Sequence, residues 1–149
     1  MSIFAKPLAF IRSRFPLWLR QAVKFGMVGV LNTLVDLGVY ALLVHVTGLL
    51  ADQHTLAKAI SYAAGIFNSY LWNRRWTFRS QASPARTLLP FFAANGLALA
   101  VNTGVMSLCF ERLGLPEIVA IAIATLSTMA FNFLVSKYII FRPRPQKSA

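Results

Sequence analysis

The length of the apolar stretches constrains this chain more than any other feature of its sequence. A bilayer core of about 30 Å is crossed by roughly 20 helical residues, and four stretches are long enough to be compared with that length. Only 13% of the residues are charged and 57% are hydrophobic, so polar side chains are too few to cover a water-exposed surface. The sequence therefore predicts an all-α membrane protein with four transmembrane helices, over about residues 25–46, 56–72, 88–110 and 118–140.

The positions of the cations predict how these spans are oriented. Nearly all of the 15 lysines and arginines precede the first span, lie between the second and third, or follow the core of the fourth. Cytoplasmic loops carry such an excess, so both termini are expected in the cytoplasm, and topology rather than a nucleic-acid partner accounts for most of the net charge of +11. The predicted domains are a cytoplasmic amphipathic segment (1–24), which is either interfacial or a frayed tail, the four-helix domain (25–142) and a basic cytoplasmic tail (143–149).

An internal repeat relates the two halves of the chain. A shift of 63 residues lays 69–79 on 132–142, and a shift of 67 relates the first and third spans less well. Small or polar residues recur at every fourth position, which is one helix face, in two stripes: Ala57, Ser61, Gly65, Ser69 and Asn73, and Ala120, Ala124, Thr128, Asn132 and Ser136. Both copies begin on the same side of the membrane, so we predict a parallel duplication of a helical hairpin, with the stripes at helix contacts or lining a polar groove.

Polar side chains inside the predicted spans indicate a polar pocket within the membrane. Asp36 is the only acid in any span, and each span has one asparagine about 5–6 Å to the cytoplasmic side of its midpoint. We predict an intramembrane polar pocket open to the inner leaflet, formed by Asn32, Thr33, Asp36, Asn68, Asn95 and Asn132. The alternative is that the amides only hydrogen-bond one another between helices, at about 0.6 kcal/mol per contact. Asp36 is expected to lie away from cations, where it is either paired with an amide or couples transport to protons.

A cationic, aromatic stretch follows the second span and is partly repeated after the fourth. Arginine pairs suit a phosphate, asparagine suits sugar or phosphate oxygens, and tryptophan can stack on a sugar. The alternative is an ordinary interfacial belt of aromatic and basic anchors. The predicted headgroup- and phosphate-binding residues are Asn73, Arg74, Arg75, Trp76, Arg79, Lys137 and Arg142. No residue pattern indicates a catalytic, metal or cofactor site, so an enzyme is not expected.

Two segments resemble the GtrA-like family of small four-span bacterial membrane proteins. They are residues 25–36 (FGMVGVLNTLVD) and 68–78 (NSYLWNRRWTF), within a similarity that covers about residues 20–142. The resemblance implies a location in the bacterial cytoplasmic membrane. It also implies the translocation of a polyprenyl-phosphate-linked monosaccharide from the inner to the outer leaflet, for cell-surface polysaccharide synthesis or modification. Its implied partners are that lipid, the membrane lipids and a polyprenyl-phosphate glycosyltransferase.

Two other functions are compatible with the sequence. The chain could be a membrane anchor that recruits a glycosyltransferase and transports nothing. It could also be a small proton-coupled multidrug antiporter, although an arginine-rich entrance disfavours the cationic substrates that this function requires. Because four short helices enclose little volume, a homo-oligomer is a further expectation, with the small-residue stripes as candidate contact faces.

Overall fold

A computed structural model of the protein describes residues 16–142, and within that range the regular secondary structure is entirely helical. The predicted segment before residue 16 and the tail 143–149 lie outside the described residues. The chain forms four antiparallel helices, each of which ends in a π-helical turn. They are α1 (Leu17–Ala41, then Leu42–Val46), α2 (His54–Trp72, then Asn73–Thr77), α3 (Pro84–Met106, then Ser107–Arg112) and α4 (Glu117–Val135, then Ser136–Ile140).

Local sequence explains where these helices begin and end. Proline stands at or just before the start of three of them, at Pro16, Pro84 and Pro116, where its missing N–H leaves no helical hydrogen bond unmade. The turns after α1 and α3 contain Gly48 (φ +66°) and Gly114 (φ +64°), a backbone conformation that glycine adopts without steric cost. These starts and stops produce two helical hairpins, α1–α2 and α3–α4.

Three of the four helices satisfy the length and apolar composition of a membrane span. They are α1, α3 and α4. Helix α2 extends beyond its predicted apolar stretch through the π-helical turn Asn73–Thr77, but polar residues occupy one of its faces from Lys58 to Asn73. The all-helical prediction is therefore confirmed for the described residues, whereas the count of four spans remains a prediction.

Within each hairpin, the helices pack through the small-residue stripes. In α2, Ala57, Ser61 and Gly65 are buried, and in α4, Ala120 and Ala124 are buried. A Cβ atom at Gly65 would lie 3.3 Å from Asn32 Oδ1 and 3.4 Å from the Asn32 carbonyl oxygen, so α1 and α2 lie close together there. The stripes thus lie at helix contacts, as the sequence predicts, and they fix the depth at which side chains of the two helices meet.

The two hairpins meet mainly through aromatic rings near one end of the bundle. This end, where α1 and α3 begin and α2 and α4 end, is called the basic end because the arginines after α2 lie there. The ring cluster, called the aromatic cluster below, consists of Phe25, Tyr70, Phe78, Phe91, Phe133 and Phe141.

The geometry of the aromatic cluster is nearly the same in both halves of the chain. Phe78 and Phe141 stack at its centre, with ring centroids 5.3 Å apart. On one side Phe25 meets Phe133 at 5.6 Å and 71°, and on the other Phe91 meets Tyr70 at 5.6 Å and 64°. Because each ring of one hairpin touches rings of the other, the cluster sets the relative position of the two polar helix ends described below.

Truncation of a ring in this cluster should loosen the contact between the hairpins. Phe91 is 2% exposed, so Phe91→Ala removes packing on several sides. We expect a loss of about 2 kcal/mol in the free energy of unfolding, below the ~3–5 kcal/mol of soluble cores because lipid replaces part of the apolar environment. Phe110→Ala, on the same helix at 46% exposure, is the matched control and should lose less than half as much. Equal losses in a denaturation series in mixed micelles would contradict this role.

Candidate functional site

An ion pair joins the two helices of the first hairpin. Lys58 Nζ lies 2.6 Å from Asp36 Oδ2, and the buried Ser61 hydroxyl donates to Asp36 Oδ1 at 2.6 Å. The expectation that Asp36 lies away from cations is therefore wrong. The close approach at Gly65 brings this part of α1 against α2, and the long lysine side chain reaches the carboxylate from a position about two turns nearer the start of α2.

Two of the predicted pocket asparagines lie in the same hairpin as this pair and have side-chain atoms without partners. Asn32 Oδ1 and Asn68 Nδ2 are buried and make no hydrogen bond within the described part of the protein. Asn32 precedes Asp36 by one helical turn and lies opposite Gly65. Asn32, Asp36 and Asn68 are thus half-buried in the first hairpin, and that they line a pocket in the membrane interior stays a prediction.

The other predicted pocket residues are arranged differently. Asn95 Nδ2 donates to the Phe91 carbonyl of its own helix at 2.9 Å, and the exposed Thr33 hydroxyl donates to the Gly29 carbonyl at 3.2 Å. Asn132 is half-buried on α4. Across residues 16–142, no hydrogen bond links any two of the four predicted asparagines, so amide-to-amide contacts do not account for them.

One amide contact between helices was missed by the sequence interpretation. Asn102 Nδ2 donates to Thr128 Oγ1 at 3.1 Å and joins α3 to α4. Gly48 and Gly114, which have matching backbone conformations, are 66 residues apart, whereas the sequence analysis related the first and third spans by a shift of 67. A shift of 66 aligns Asp36 with Asn102 rather than with Thr103. A search of the sequence for repeated glycine turns would have found the shift of 66 residues between the first and third helices. The second hairpin therefore carries a neutral amide where the first carries a carboxylate.

The π-helical turn at the end of α2 holds most of the predicted headgroup residues, but not on one open surface. Asn73 is 1% exposed, and its Nδ2 donates to Ser69 Oγ at 3.2 Å. Arg74 is half-buried, and its Nη2 donates to the Ala82 carbonyl at 2.7 Å. Arg75 is exposed. Asn73 and Arg74 thus stabilise the turn and its following loop, whereas Arg75 is accessible.

Two lysines at the basic end are in contact with aromatic rings. Lys24 Nζ donates to the Trp76 carbonyl at 3.4 Å and lies 4.9 Å from the centroid of the Trp76 ring. Lys137 Nζ lies 5.0 Å from the Tyr138 ring centroid and 5.6 Å from that of Phe133. Cation–π contacts of this kind hold the ammonium groups next to the bundle. The predicted cations that are exposed are Arg75, Arg79 and Arg142.

An open cavity at the basic end gathers three arginines. Its volume is about 1040 Å³, and its wall is formed by the α2–α3 loop, the first turns of α3 and the end of α4. Arg79 and Arg142 were predicted to bind a headgroup, whereas Arg86 was recognised only as a loop cation. Three arginines thus line this cavity, and guanidinium groups suit a phosphate or another compact anion. We call this feature the arginine cavity.

The unpartnered buried polar atoms are distributed unequally between the hairpins. In the described part of the chain, all six belong to α1 or α2: Gln21 Oε1, Asn32 Oδ1, Asn68 Nδ2, Asn73 Oδ1, Arg74 Nε and Thr77 Oγ1. Under the shift of 66, Gln21 corresponds to Thr87, which is buried and hydrogen-bonded to the Tyr70 hydroxyl at 2.8 Å. An unmade buried hydrogen bond costs about 1–3 kcal/mol. The first hairpin therefore has an unused capacity to bind polar groups that the second hairpin lacks.

Comparison with known proteins identifies the family of such a bundle. The model of the GtrA/DPMS transmembrane domain matches residues 24–141. The chain is 34% identical over 139 residues to the uncharacterized membrane protein YngA of Bacillus subtilis, covering 89% of this chain and 88% of that one. It is 27% identical to the bactoprenol-linked glucose translocase of Shigella phage SfV, covering 83% of this chain and 97% of that one.

A third relative is named for teichoic acid glycosylation rather than for translocation. The cell wall teichoic acid glycosylation protein GtcA of Listeria monocytogenes is 27% identical, and the match covers 83% of this chain and 86% of that one. No solved structure shows significant similarity to the chain. Together with the three apolar helices, the family match identifies a multi-pass membrane protein.

The close contact at Gly65 can be tested directly. Gly65→Leu places a side chain against Asn32 and should separate α1 from α2, which breaks the ion pair and lowers the unfolding midpoint. Gly96→Leu is the control, since a Cβ at Gly96 has no neighbour within 4 Å, and leucine is a better helix former than glycine by about 0.8 kcal/mol. We expect Gly96→Leu to keep or raise the midpoint in a thermal unfolding experiment. A destabilised Gly96 variant alongside an unaffected Gly65 variant would contradict the packing described here.

Proposed function

This chain belongs to the GtrA/DPMS transmembrane-domain family, and we propose that it translocates a polyprenyl-phosphate-linked monosaccharide from the inner to the outer leaflet of the bacterial cytoplasmic membrane. This activity would serve the synthesis or modification of a cell-surface polysaccharide. The observation that carries the proposal is the set of unpartnered polar atoms buried in the first hairpin. The names of two relatives, a bactoprenol-linked glucose translocase and a teichoic acid glycosylation protein, point the same way and to a translocase rather than an enzyme.

The physical problem is the transfer of a sugar and one phosphodiester charge through hydrocarbon. An isolated ion there costs tens of kcal/mol by Born estimates, and each sugar hydroxyl also loses its hydrogen bonds to water. The polyprenyl tail can stay in lipid throughout. Asn32 Oδ1 can accept from a sugar hydroxyl and Asn68 Nδ2 can donate to one, so these buried amides would replace part of the lost hydration.

Capture of the lipid would take place at the basic end. The arginine cavity would bind the phosphate through Arg79, Arg86 and Arg142, with the exposed Arg75 close by in sequence. Asn73 and Arg74 would hold the π-helical turn in place beside the headgroup, and Trp76 and Lys137 would border it. Thr33, Asp36, Asn95 and Asn132 would contribute to the polar interior as the sequence predicts.

The membrane potential can supply the driving force. The phosphodiester is a monoanion, and the interior of a bacterium is electrically negative. Outward movement of an uncompensated negative charge is then favoured by about 2.3 kcal/mol per 100 mV. The proposed transport therefore requires neither a nucleotide nor a cofactor.

The proposed topology places the basic end and both termini in the cytoplasm, with four spans formed by a parallel duplication of one hairpin. The charge pattern supports the orientation. The matched ring pairs of the aromatic cluster, Phe25–Phe133 and Phe91–Tyr70, support the duplication, as do the matched glycines at 48 and 114. A homo-oligomer in the membrane is a further part of the proposal.

The arginine cavity also favours a second candidate function. An acidic segment of a polyprenyl-phosphate glycosyltransferase could bind there, so that the chain acts as a membrane anchor for that enzyme. Anchoring and transport do not exclude each other, but only transport gives the buried amides a role. The antiporter hypothesis is weaker, because Lys58 occupies the place beside Asp36 that a cationic substrate would need.

Reconstitution of the purified chain alone tests transport. Proteoliposomes containing polyprenyl-phosphate glucose should move this lipid between leaflets, and the initial rate should fall about tenfold when Arg79, Arg86 and Arg142 are all replaced by Gln, because capture of the phosphate is lost. Arg112→Gln, which removes a cation at the opposite end of the bundle, is the control and should keep the rate. Empty-liposome rates for the unmodified chain would contradict transport and leave the anchor function.

A further inference from the structure

The ion pair between Asp36 and Lys58 includes a cation that the orientation of the protein in the membrane does not require. Lys58 stands about one helical turn from the start of α2 at His54, at the end of the bundle opposite the arginine cavity. Basic residues that orient a membrane protein collect on the cytoplasmic side, so Lys58 does not serve that purpose. Helix pairing also explains it poorly, since replacing a partly buried ion pair by apolar residues is often neutral or stabilising.

The two partners of this pair are held unequally. The Asp36 side chain is 17% exposed and accepts hydrogen bonds from two groups, Lys58 and the fully buried Ser61. The Lys58 side chain is 54% exposed, and Asp36 is its one hydrogen-bond partner in the described part of the chain. An ammonium group has three N–H donors, so two are available to a ligand. The lysine can leave the carboxylate while Ser61 continues to hold it.

We propose that Lys58 is a second anion-binding site, at which the phosphate of a lipid headgroup replaces the Asp36 carboxylate on the lysine ammonium group. A compact ammonium suits a phosphate as a point charge, without the fixed geometry that a guanidinium imposes. The inference extends the proposed function, because it places a receiving site for the same chemical group at the far end of the first hairpin.

The unpartnered polar atoms of the first hairpin form a series that runs from the basic end towards Asp36 and Lys58. From Thr77 at the basic end, the unpartnered atoms of Asn73, Asn68 and Asn32 follow one another towards Asp36. Thr77 and Lys58 are separated along α2 by about 28 Å at 1.5 Å per residue, close to the roughly 30 Å of a bilayer core. A headgroup that leaves the buried amides therefore meets Lys58 next.

Competition from Asp36 gives the site a useful property. A transport site has to bind its ligand well enough to receive it and weakly enough to release it. A free lysine in this half of the hairpin would hold a phosphate more tightly than a lysine that can return to a carboxylate 2.6 Å away. Asp36 thus acts as a positioning residue that limits the lifetime of the bound lipid.

Binding of a single-chain lipid phosphate tests this exchange without requiring transport. The probe is dodecyl phosphate in uncharged maltoside micelles. The protein carries the substitutions Arg79→Gln, Arg86→Gln and Arg142→Gln, so that the arginine cavity does not contribute. Asp36→Asn should tighten the dissociation constant about fivefold, because one competing charge is lost. Lys58→Gln should abolish the binding, Lys58→Arg should retain it, and the double variant Asp36→Asn/Lys58→Gln should behave as Lys58→Gln.

Glu111→Gln provides the matched control. Glu111 accepts a hydrogen bond from the Ser107 hydroxyl at 2.6 Å, at the same end of the bundle but in the second hairpin, and its replacement causes the same change in net charge. It should leave the dissociation constant unchanged. The proposal is overturned if Asp36→Asn has no effect in a folded sample, if its effect persists in Lys58→Gln, or if Glu111→Gln has the same effect.

The experiment separates this proposal from the proposed function. Binding that depends on Lys58 in a chain that moves no lipid between leaflets supports the site and contradicts transport. Transport by a chain whose affinity for dodecyl phosphate is indifferent to Lys58 and Asp36 contradicts the site alone. Lys58→Arg keeps the test valid if Lys58→Gln fails to fold, because loss of phosphate binding in a folded arginine variant also contradicts the proposal.

Discussion

Hydrocarbon offers no hydrogen bonds, so each polar atom inside a membrane protein must find its partner within the protein or on a ligand. The buried side-chain nitrogen and oxygen atoms of the second hairpin all have partners in the described structure, either on that hairpin or on Tyr70 of the first. Asn102 bonds to Thr128, Asn95 to its own backbone, and Thr87 to Tyr70 across the hairpin boundary. The first hairpin does not meet the constraint, because six of its buried polar atoms have no partner in the described chain. The function proposed here depends on that difference.

The aromatic cluster explains how the two hairpins can differ and still form one bundle. Its ring contacts are nearly the same in both halves, so the two halves have matching geometry where the hairpins meet. The polar positions around it differ between the two hairpins. Asp36 corresponds to Asn102, and Arg74 and Arg75 correspond to Lys137 and Tyr138. Under the proposed function, one hairpin would supply polar contacts to a headgroup while the other would supply packing.

The sequence predicts the features that depend on local periodicity. The helices, the buried stripes at Ser61 and Gly65 and the basic character of one end all follow from spacing along single helices. Features that depend on the register between helices were not predicted. Lys58 is 22 residues from Asp36, and only the close contact at Gly65 brings them together. The arginine cavity depends in the same way on how the loop after α2 packs against the end of α4, so Arg86 could not be assigned to it in advance.

The central claim is that buried polar atoms of the first hairpin take the place of water around the sugar of a lipid. The most direct measurement is mass spectrometry of the lipids that co-purify with the chain from bacterial membranes, compared with those of the variant Asn32→Leu/Asn68→Leu. The account predicts that a polyprenyl phosphate bearing one monosaccharide is enriched over bulk phospholipid with the native chain and is lost from the folded variant. Bulk phospholipids alone, or equal enrichment with both chains, would contradict it.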